Sequence, residues 1–405
     1  MWRYDIYKPK WDCIIRDIYK LEGKCMKFKT IVTAGAVAAM LVGCSNGNSA
    51  TTDIKAPKFG FIGPLSGEAS QYGTAVKNAM KMAISDYNKK HGTKITGVYY
   101  DDKADPTTAV NDYNKLYNDD KVTAVLSPVT TGSALSVASA ASKNNTPILS
   151  PSASGDKFTM NGKTAYKNVF RICTNDSYAG TYLAKQSKTK YSFKNVAVLY
   201  NKESDYSTGV AAAYKAEAKK QGVNVSFYEA YNANTKDFST FVSKIKQANP
   251  DAVFLPDYYE SVVSITKQLR DSGVKAPIFG ADGWDGVLGV KGVNTADFEN
   301  CFFTSGYNKD ATSGPTYEFV KEYEKEYGTT PSMFAGMAYD TVTVMMKAIN
   351  KAKSTDPEKV NAALEKVKVS DDEAVCGGFT YDKNHNPVKE LNIVTVKNGQ
   401  YVTAK

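Results

Sequence analysis

Histidine is scarce in this sequence, with only His91 and His385 among 405 residues. Both lie among polar residues, which predicts loop positions. No histidine follows a predicted strand, and neither a CxxC pair nor a His/Cys spacing typical of a metal site occurs. Because a serine or cysteine nucleophile needs a neighbouring base, these absences argue against a hydrolase or a metalloenzyme and predict a protein without catalytic residues, metal or cofactor.

Cysteine is also sparse, with six residues in the chain. Cys13, Cys25 and Cys44 lie in the N-terminal region discussed below. The other three are Cys173, Cys301 and Cys376. Because three is an odd number, at most one disulfide can form among them. A pair between Cys301 and Cys376 is one option that the spacing does not establish.

No apolar run near the N-terminus is long enough to span a bilayer, since the one at residues 30–42 has only 13 residues. It follows Lys27 and Lys29 and ends at Leu41-Val42-Gly43-Cys44. This order is typical of a secretory signal, and its ending resembles the lipobox of bacterial lipoproteins. We therefore predict a signal at residues 26–44, lipidation of Cys44, and a protein anchored to the outer face of the cell membrane.

Two segments flank this signal. Residues 45–53 (SNGNSATTD) predict a flexible tether because they are rich in Ser, Asn, Gly and Thr. Residues 1–25 carry charge, aromatic rings and two cysteines, which a signal does not place before its basic region. We interpret residues 1–25 as an extension that is not translated, with translation starting at Met26.

Composition indicates an ordinary globular protein, with 42% hydrophobic and 23% charged residues. The length suits two or three domains. The net charge is +9, of which residues 1–44 supply +4 through eight Lys/Arg against four Asp/Glu. The other basic residues are scattered over helix faces, so we do not predict nucleic-acid binding.

The stretch from Val122 to Gly155 carries the clearest site signal. Two apolar runs, at residues 123–126 and 147–149, predict buried strands on either side of a small-residue helix. Hydroxyl side chains follow both runs: Thr130, Thr131 and Ser133 after the first, and Ser152 and Ser154 after the second. Parallel neighbours bring these strand ends together, where α/β sheets bind ligands. Neutral donors at a helix start suit a carboxylate, although Thr130 and Thr131 could serve only as helix caps.

Strands and helices alternate over more than 200 residues, which predicts an α/β fold with parallel sheets. The segment TAVLSPVTT at residues 123–131 recurs as DAVFLPDYY at residues 251–259. This repetition predicts two lobes of similar construction.

Several strand ends carry a tyrosine or an acid: Tyr72, Asp176, Tyr206, Tyr258 and Asp282. Tyr258 and Asp282 follow successive strands and are predicted to face one cleft. An acid opposite neutral anion donors is the arrangement that a zwitterion requires. The alternatives are core packing for each tyrosine and helix capping for Asp282.

Eight motifs in order resemble the branched-chain amino-acid-binding proteins, the Leu/Ile/Val type of solute-binding component of ABC importers. They are GPLSGEASQYG (63–73), YDDKADP (100–106), SPVTTGSAL (127–135), PILSPSASG (147–155), FRICTNDSYAG (170–180), DYSTG (205–209), FGADGWD (279–285) and FAGMAYD (334–340). The set covers nearly all of residues 54–405, and each motif alone is weakly specific.

The resemblance implies the type I periplasmic-binding fold, two Rossmann-like lobes joined by three hinge crossovers that close on a ligand. It implies a first lobe at residues 54–176 and 306–375 and a second at 177–305 and 376–405. It also implies a monomer that delivers an amino acid, branched-chain or otherwise apolar, to an ABC permease.

The family pattern implies a role for each matching residue. Thr131 and the N–H of Ser154 would hold the ligand carboxylate. The ammonium group would meet the carbonyl of Ser152, the hydroxyl of Ser154 and Asp282, with Asp176 nearby in some members. The side-chain pocket would be lined by Tyr72, Tyr206, Tyr258 and Phe334.

The sequence departs from enteric members, which have a disulfide where Ala104 and Thr130 stand and a glutamate where Asp282 stands. The exact amino acid is therefore open, and amides or small carboxylic acids are alternative ligands. A lipid-anchored sensor of the same fold is a further alternative. An enzyme built on Thr131, Tyr206 and Asp282 is disfavoured because no histidine accompanies them.

Overall fold

The computed structural model describes residues 53–308 and 310–404. The predicted extension, signal, lipidated Cys44 and almost all of the tether lie outside the described residues, so these stay predictions. The described chain contains two large sheets covered by helices, which confirms the α/β prediction.

The first large sheet has five parallel strands in the order β2-β1-β3-β4-β7. Its strands are β1 (Lys58–Gly63), β2 (Thr96–Asp101), β3 (Ala124–Val125), β4 (Ile148–Ser150) and β7 (Val169–Arg171). Its helices are α1 (Ser70–His91), α2 (Pro106–Asn118), α3 (Thr131–Ala141), α8 (Gly314–Tyr327), α9 (Met333–Ala352) and α10 (Pro357–Leu364). We call this sheet with these helices the first lobe, since α9 packs on α1 and α10 on α9.

The second large sheet has seven strands in the order β9-β8-β10-β11-β12-β16-β17. Its strands are β8 (Asn195–Asn201), β9 (Asn224–Tyr231), β10 (Ala252–Phe254), β11 (Ile278–Gly280), β12 (Cys301–Ser305), β16 (Asn392–Lys397) and β17 (Gln400–Thr403). Its helices are α4 (Asp176–Thr189), α5 (Asp205–Gln221), α6 (Ser239–Ala248) and α7 (Tyr259–Asp271). We call this sheet with these helices the second lobe.

The repeated segment occupies matching places in the two lobes. β3 lies between β1 and β4, and β10 lies between β8 and β11. The last two strands depart from parallel pairing, because β16 runs antiparallel to both β12 and β17. A two-residue turn joins β16 to β17, and its Asn398 and Gly399 have φ of 51° and 71°. Two left-handed residues of this kind close a tight antiparallel hairpin.

Five short strands form two further small sheets. β5 (Met160–Asn161) pairs with β6 (Thr164–Ala165), and β13 (Lys368–Val369), β14 (Phe379–Tyr381) and β15 (Pro387–Val388) form a small antiparallel sheet. Tyr381 and His385 pack against Phe170 of the first lobe. These contacts attach the segment around Tyr381 and His385 to the first lobe, and the predicted lobe boundaries stay a prediction.

The two histidines differ from expectation. His91 is the last residue of α1 and not a loop residue, because a helix C-terminus favours the basic side chains Lys89, Lys90 and His91 gathered there. His385 lies in a turn as predicted, but it is buried, with its ring 4.0 Å from that of Phe170 and its Nδ1 3.0 Å from the Val169 carbonyl.

All three cysteines in the described residues are buried and free. The optional disulfide between Cys301 and Cys376 is therefore absent. The reason is their location: Cys301 opens β12 beside Arg270 of the second lobe, whereas Cys376 contacts the Met333 carbonyl in the first.

Candidate functional site

A small cavity lies between the carboxyl ends of the strands of the two lobes. Its volume is about 20 Å³, close to what one water molecule needs. It is lined by Tyr72, Val129, Thr130, Thr131, Ser152, Ser154, Tyr206, Tyr258, Asp282, Gly283 and Phe334. Every site residue named from the sequence is in this set except Asp176. We call this space the ligand cavity.

Hydroxyl groups of the first lobe form one wall of the ligand cavity. Thr130 precedes α3 in the extended conformation, but its side chain makes no capping hydrogen bond. The Oγ1 of Thr131 accepts the N–H of Gly155 at 3.3 Å. The alternative that both threonines serve only as side-chain caps is therefore wrong.

Ser152 and Ser154 belong to the loop after β4. The Ser152 hydroxyl donates to the Val129 carbonyl at 2.7 Å, which ties this loop to the one after β3. Ser154 hydrogen-bonds to the carboxyl group of Asp176. The hydroxyl-rich strand ends predicted to meet do so, and each is fixed by hydrogen bonds.

Tyr206 and Asp282 form the opposite wall, in the second lobe. The Tyr206 hydroxyl donates to Asp282 Oδ1 at 2.9 Å and accepts the N–H of Gly283 at 2.8 Å. Asp282 begins a 3-10 turn, and its carboxyl group accepts backbone N–H groups of Asp282 and Gly283 at the start of that turn. An acid thus faces the hydroxyl wall across the cavity, and the helix-capping alternative for Asp282 is partly right, because the same carboxyl group caps the turn and borders the cavity.

Gly283 has no room for a side chain. A Cβ there would lie 2.8 Å from both the Asp257 carbonyl and the Tyr206 hydroxyl. This close approach keeps the Asp282 loop against Tyr206, which the sequence reasoning did not anticipate.

Burial raises the pKa of Asp282 to about 6, with the Tyr206 hydrogen bond opposing the shift. No basic side chain lines the ligand cavity. A cationic group entering the cavity would therefore meet a carboxylate that no positive charge of the lining balances.

Aromatic rings close the cavity on its remaining side. Tyr258 stacks on Tyr206 with centroids 5.1 Å apart, and Tyr72 meets Tyr258 and Phe334 edge to face at 5.4 and 5.1 Å. The core-packing alternative for these tyrosines is only partly right, because Tyr72 and Tyr206 are almost fully buried yet also border the cavity.

Three hydrogen bonds cross from lobe to lobe at the ligand cavity. The Tyr72 hydroxyl donates to the Gly283 carbonyl and accepts the N–H of Tyr259 at 3.2 Å. The Thr131 backbone N–H bonds to the hydroxyl of Tyr258. The lobes are therefore closed on each other, and groups from the two lobes hydrogen-bond to each other at the cavity.

Asp176 lies in a neighbouring interlobe cavity of about 220 Å³, which shares Thr131 with the ligand cavity. Its side chain is buried, and its Oδ1 has no hydrogen-bond partner in the described structure. Burial raises the pKa of this carboxyl well above its ordinary value. Direct contact between Asp176 and a ligand stays a prediction.

Sequence reasoning missed several residues of the site. Val129 and Gly283 border the ligand cavity, and Tyr259 binds Tyr72. Asp257 accepts the N–H of Tyr258 at 2.8 Å. The two successive tyrosines at 258–259 were a usable signal for the contact between Tyr259 and Tyr72. Because α7 begins there and two successive side chains point in different directions, Tyr258 borders the cavity and the Tyr259 ring packs on Tyr72.

Two further features are absent from residues 53–308 and 310–404. No group of three or more metal-binding side chains capable of holding an ion occurs among them. Among the same residues, no helix is both long and apolar enough to cross a membrane.

The sequence matches the periplasmic binding protein family model over residues 56–400. It is 30% identical to the leucine-, isoleucine-, valine-, threonine- and alanine-binding protein of Pseudomonas aeruginosa, over 76% of this chain and 81% of that protein. It is 29% identical to the Leu/Ile/Val/Thr-binding protein of Salmonella typhimurium, over 88% and 93%.

Solved structures give the same picture. The leucine-binding protein LivK of Thermotoga maritima superposes with a TM-score of 0.79 at 26% identity, covering 86% of this chain and 98% of that one. The branched-chain amino acid transporter substrate-binding protein LivJ of Streptococcus pneumoniae, in complex with isoleucine, has a TM-score of 0.79 at 29% identity, covering 86% and 99%.

Proposed function

Because the chain belongs to the periplasmic binding protein family, a class of solute-binding proteins and not of enzymes, we propose that it is the receptor of an ABC importer for an amino acid, branched-chain or otherwise apolar. The ligand binds between the lobes and is passed to a membrane permease. The observation that carries this proposal is the ligand cavity, where a carboxylate and neutral hydroxyls face each other from different lobes.

The two walls fit the two ends of an amino acid. Thr131 and the N–H of Ser154 would bind the carboxylate, helped by the positive end of α3. Asp282, the Ser152 carbonyl and the Ser154 hydroxyl would bind the ammonium group. Because these groups lie on both lobes, the ligand stabilises the closed state.

The aromatic wall of the ligand cavity, formed by Tyr72, Tyr206, Tyr258 and Phe334, supports an apolar ligand side chain. To admit a carboxylate, the Tyr258 hydroxyl must leave the Thr131 N–H that it now occupies. The names of the relatives, which concern leucine, isoleucine, valine, threonine and alanine, support the same ligand class.

The remaining predictions belong to the same proposal. The protein acts outside the cytoplasm as a monomer, held to the outer face of the membrane by lipid on Cys44. Asp176 contributes to the electrostatics of the ammonium site. A sensor of the same fold, or a receptor for amides or small carboxylic acids, is the alternative.

The test is calorimetric titration of residues 45–405, made without lipid, with leucine, isoleucine, valine, alanine, phenylalanine and simple carboxylates. Saturable binding of one amino-acid group, lost in Asp282→Asn and kept in the matched exposed control Asp271→Asn, is the expected result. Binding of a simple acid or amide alone, unchanged in Asp282→Asn, would contradict the ammonium role of Asp282.

A further inference from the structure

Arg171, the last residue of β7, is a fully buried arginine beside the loop that carries Ser154. Its Nη1 donates to the Ala153 carbonyl at 2.9 Å. Its Nη2 donates to the Gly155 carbonyl at 2.8 Å. These carbonyls belong to the residues immediately before and after Ser154. The guanidinium therefore holds the chain on both sides of the residue whose N–H is proposed to bind the ligand carboxylate.

The N–H groups on either side of Ser154 are also held by first-lobe side chains. The N–H of Ala153 donates to Ser150 Oγ at 2.9 Å. The N–H of Gly155 donates to Thr131 Oγ1 at 3.3 Å. Within the described residues, the N–H of Ser154 itself has no hydrogen-bond partner. A donor that is unoccupied and already fixed in place can bind an oxygen of the ligand with little further ordering of the loop.

The positive charge of Arg171 is not paired with a bonded acid. In the part of the chain that the structure describes, all of its hydrogen bonds go to uncharged oxygens. Asp176, Asp156 and Asp382 act on it electrostatically without a hydrogen bond. Arginine stays protonated even when it is buried, and a buried cation is costly unless an anion compensates it. A carboxylate bound at the Ser154 N–H supplies such an anion on the cavity side of the loop.

We infer that Arg171 is a positioning residue for the ligand carboxylate, because it fixes the Ser154 N–H at the ligand cavity and places a positive charge behind it. This inference rests on the proposed function. Arg171 does not line the ligand cavity, so it acts through the loop and does not touch the ligand. The neutral donors of the cavity, with this buried charge behind them, should favour a carboxylate over an uncharged amide.

Arg171→Met removes the charge and both carbonyl contacts. The affinity for the amino acid should fall about tenfold to a hundredfold, the loss expected when hydrogen bonds to a charged group are removed. The affinity for the amide of the same amino acid should fall less, because the amide carries no negative charge for Arg171 to attract. The preference for the acid over the amide should therefore drop by about tenfold.

Arg270→Met is the matched control. Arg270 also donates to backbone carbonyls, those of Val274 and Ala276 at 2.8 Å and that of Asp297 at 3.0 Å. It belongs to α7 of the second lobe and does not line the ligand cavity. This variant should keep the affinities of the parent for both acid and amide. If Arg171→Met does not fold, as judged by circular dichroism, Arg171→Gln replaces it, since it also removes the charge but keeps one amide donor.

The experiment is calorimetric titration with leucine, isoleucine, valine, alanine and phenylalanine, followed by displacement of the tightest of them by its own amide. A parent that binds an amino acid, with a selective loss of the acid in Arg171→Met and none in Arg270→Met, supports the inference. Equal loss of acid and amide in Arg171→Met, or unchanged binding of both, overturns it and leaves the proposed function standing. No amino-acid binding by the parent overturns the proposed function, and the inference with it.

Discussion

Tyr72 of the first lobe donates its hydroxyl hydrogen to the carbonyl of Gly283 in the second lobe. The same hydroxyl accepts the N–H of Tyr259. A residue that lines the ligand cavity therefore also holds the two lobes together through hydrogen bonds. Lobe closure and ligand binding thus both depend on the Tyr72 side chain. Replacing Tyr72 with phenylalanine removes its two interlobe hydrogen bonds and keeps the ring that lines the ligand cavity.

Tyr72→Phe should weaken amino-acid binding about tenfold, because the closed state loses one donor and leaves a buried carbonyl and N–H without their partner. Calorimetric titration measures this change. Tyr113→Phe is the matched control, since Tyr113 is equally buried and bonds to Asn144 and Thr146 within the first lobe. Equal loss of affinity in both variants would contradict the role of the Tyr72 hydroxyl in holding the lobes together.

The fold could be predicted from sequence because it depends on patterns repeated along the chain. Apolar runs of strand length alternate with amphipathic helices, and the SPVTT and LPDYY segments mark equivalent strand ends of the two lobes. Thr131, Ser152 and Asp282 could be predicted to share a site because parallel strands align their carboxyl ends at one sheet edge.

The parts that escaped prediction depend on distances across the closed cleft. Nothing in the sequence places Tyr258 on the N–H of Thr131, or Tyr72 on Gly283, because those contacts need the relative position of two lobes. The separation of the ligand cavity from the cavity beside Asp176 has the same origin. The burial of His385 was not predicted for a similar reason, since it comes from the turn after β14 packing on Phe170.

The three cysteines of the chain from residue 45 onward are predicted to be thiols that reagents cannot reach in the folded protein. Burial raises the pKa of Cys173 to about 12 and that of Cys301 to about 11, which suppresses the reactive thiolate. Titration with a thiol reagent should detect no thiol in native protein and three in denaturant without reductant. Detection of a single thiol in denaturant would contradict the unpaired state.

Gly283→Ala should both destabilise the protein and weaken binding. Its Cβ would lie 2.8 Å from the Asp257 carbonyl, so the Asp282 loop must move, at a cost of about 1–3 kcal/mol. Gly132→Ala is the matched control, because its Cβ would meet only Pro106 at 3.7 Å. Thermal melting and titration of both variants check the prediction, and equal behaviour of the two would contradict it.

Asp282→Asn should abolish amino-acid binding yet stabilise the ligand-free protein near pH 8. Burial raises the pKa of Asp282 from 3.8 in the unfolded chain to about 6. The folded state thus binds more protons between those values, and its stability falls as the pH rises through them. The gain should be at most about 3 kcal/mol. It should vanish near pH 4, where the parent carboxyl is protonated, and a gain independent of pH in thermal melts would contradict this origin.

Ligand affinity should fall as the pH drops through the pKa of Asp282. The ammonium group needs the carboxylate, so below about pH 6 each unit of pH should lower the affinity by up to about tenfold. Titrations between about pH 5 and pH 8 measure this slope. In buffers of different ionisation enthalpy at about pH 6, binding should release protons, because the ligand holds Asp282 in its charged form. A flat profile without proton release would mean that the ammonium group does not rely on Asp282.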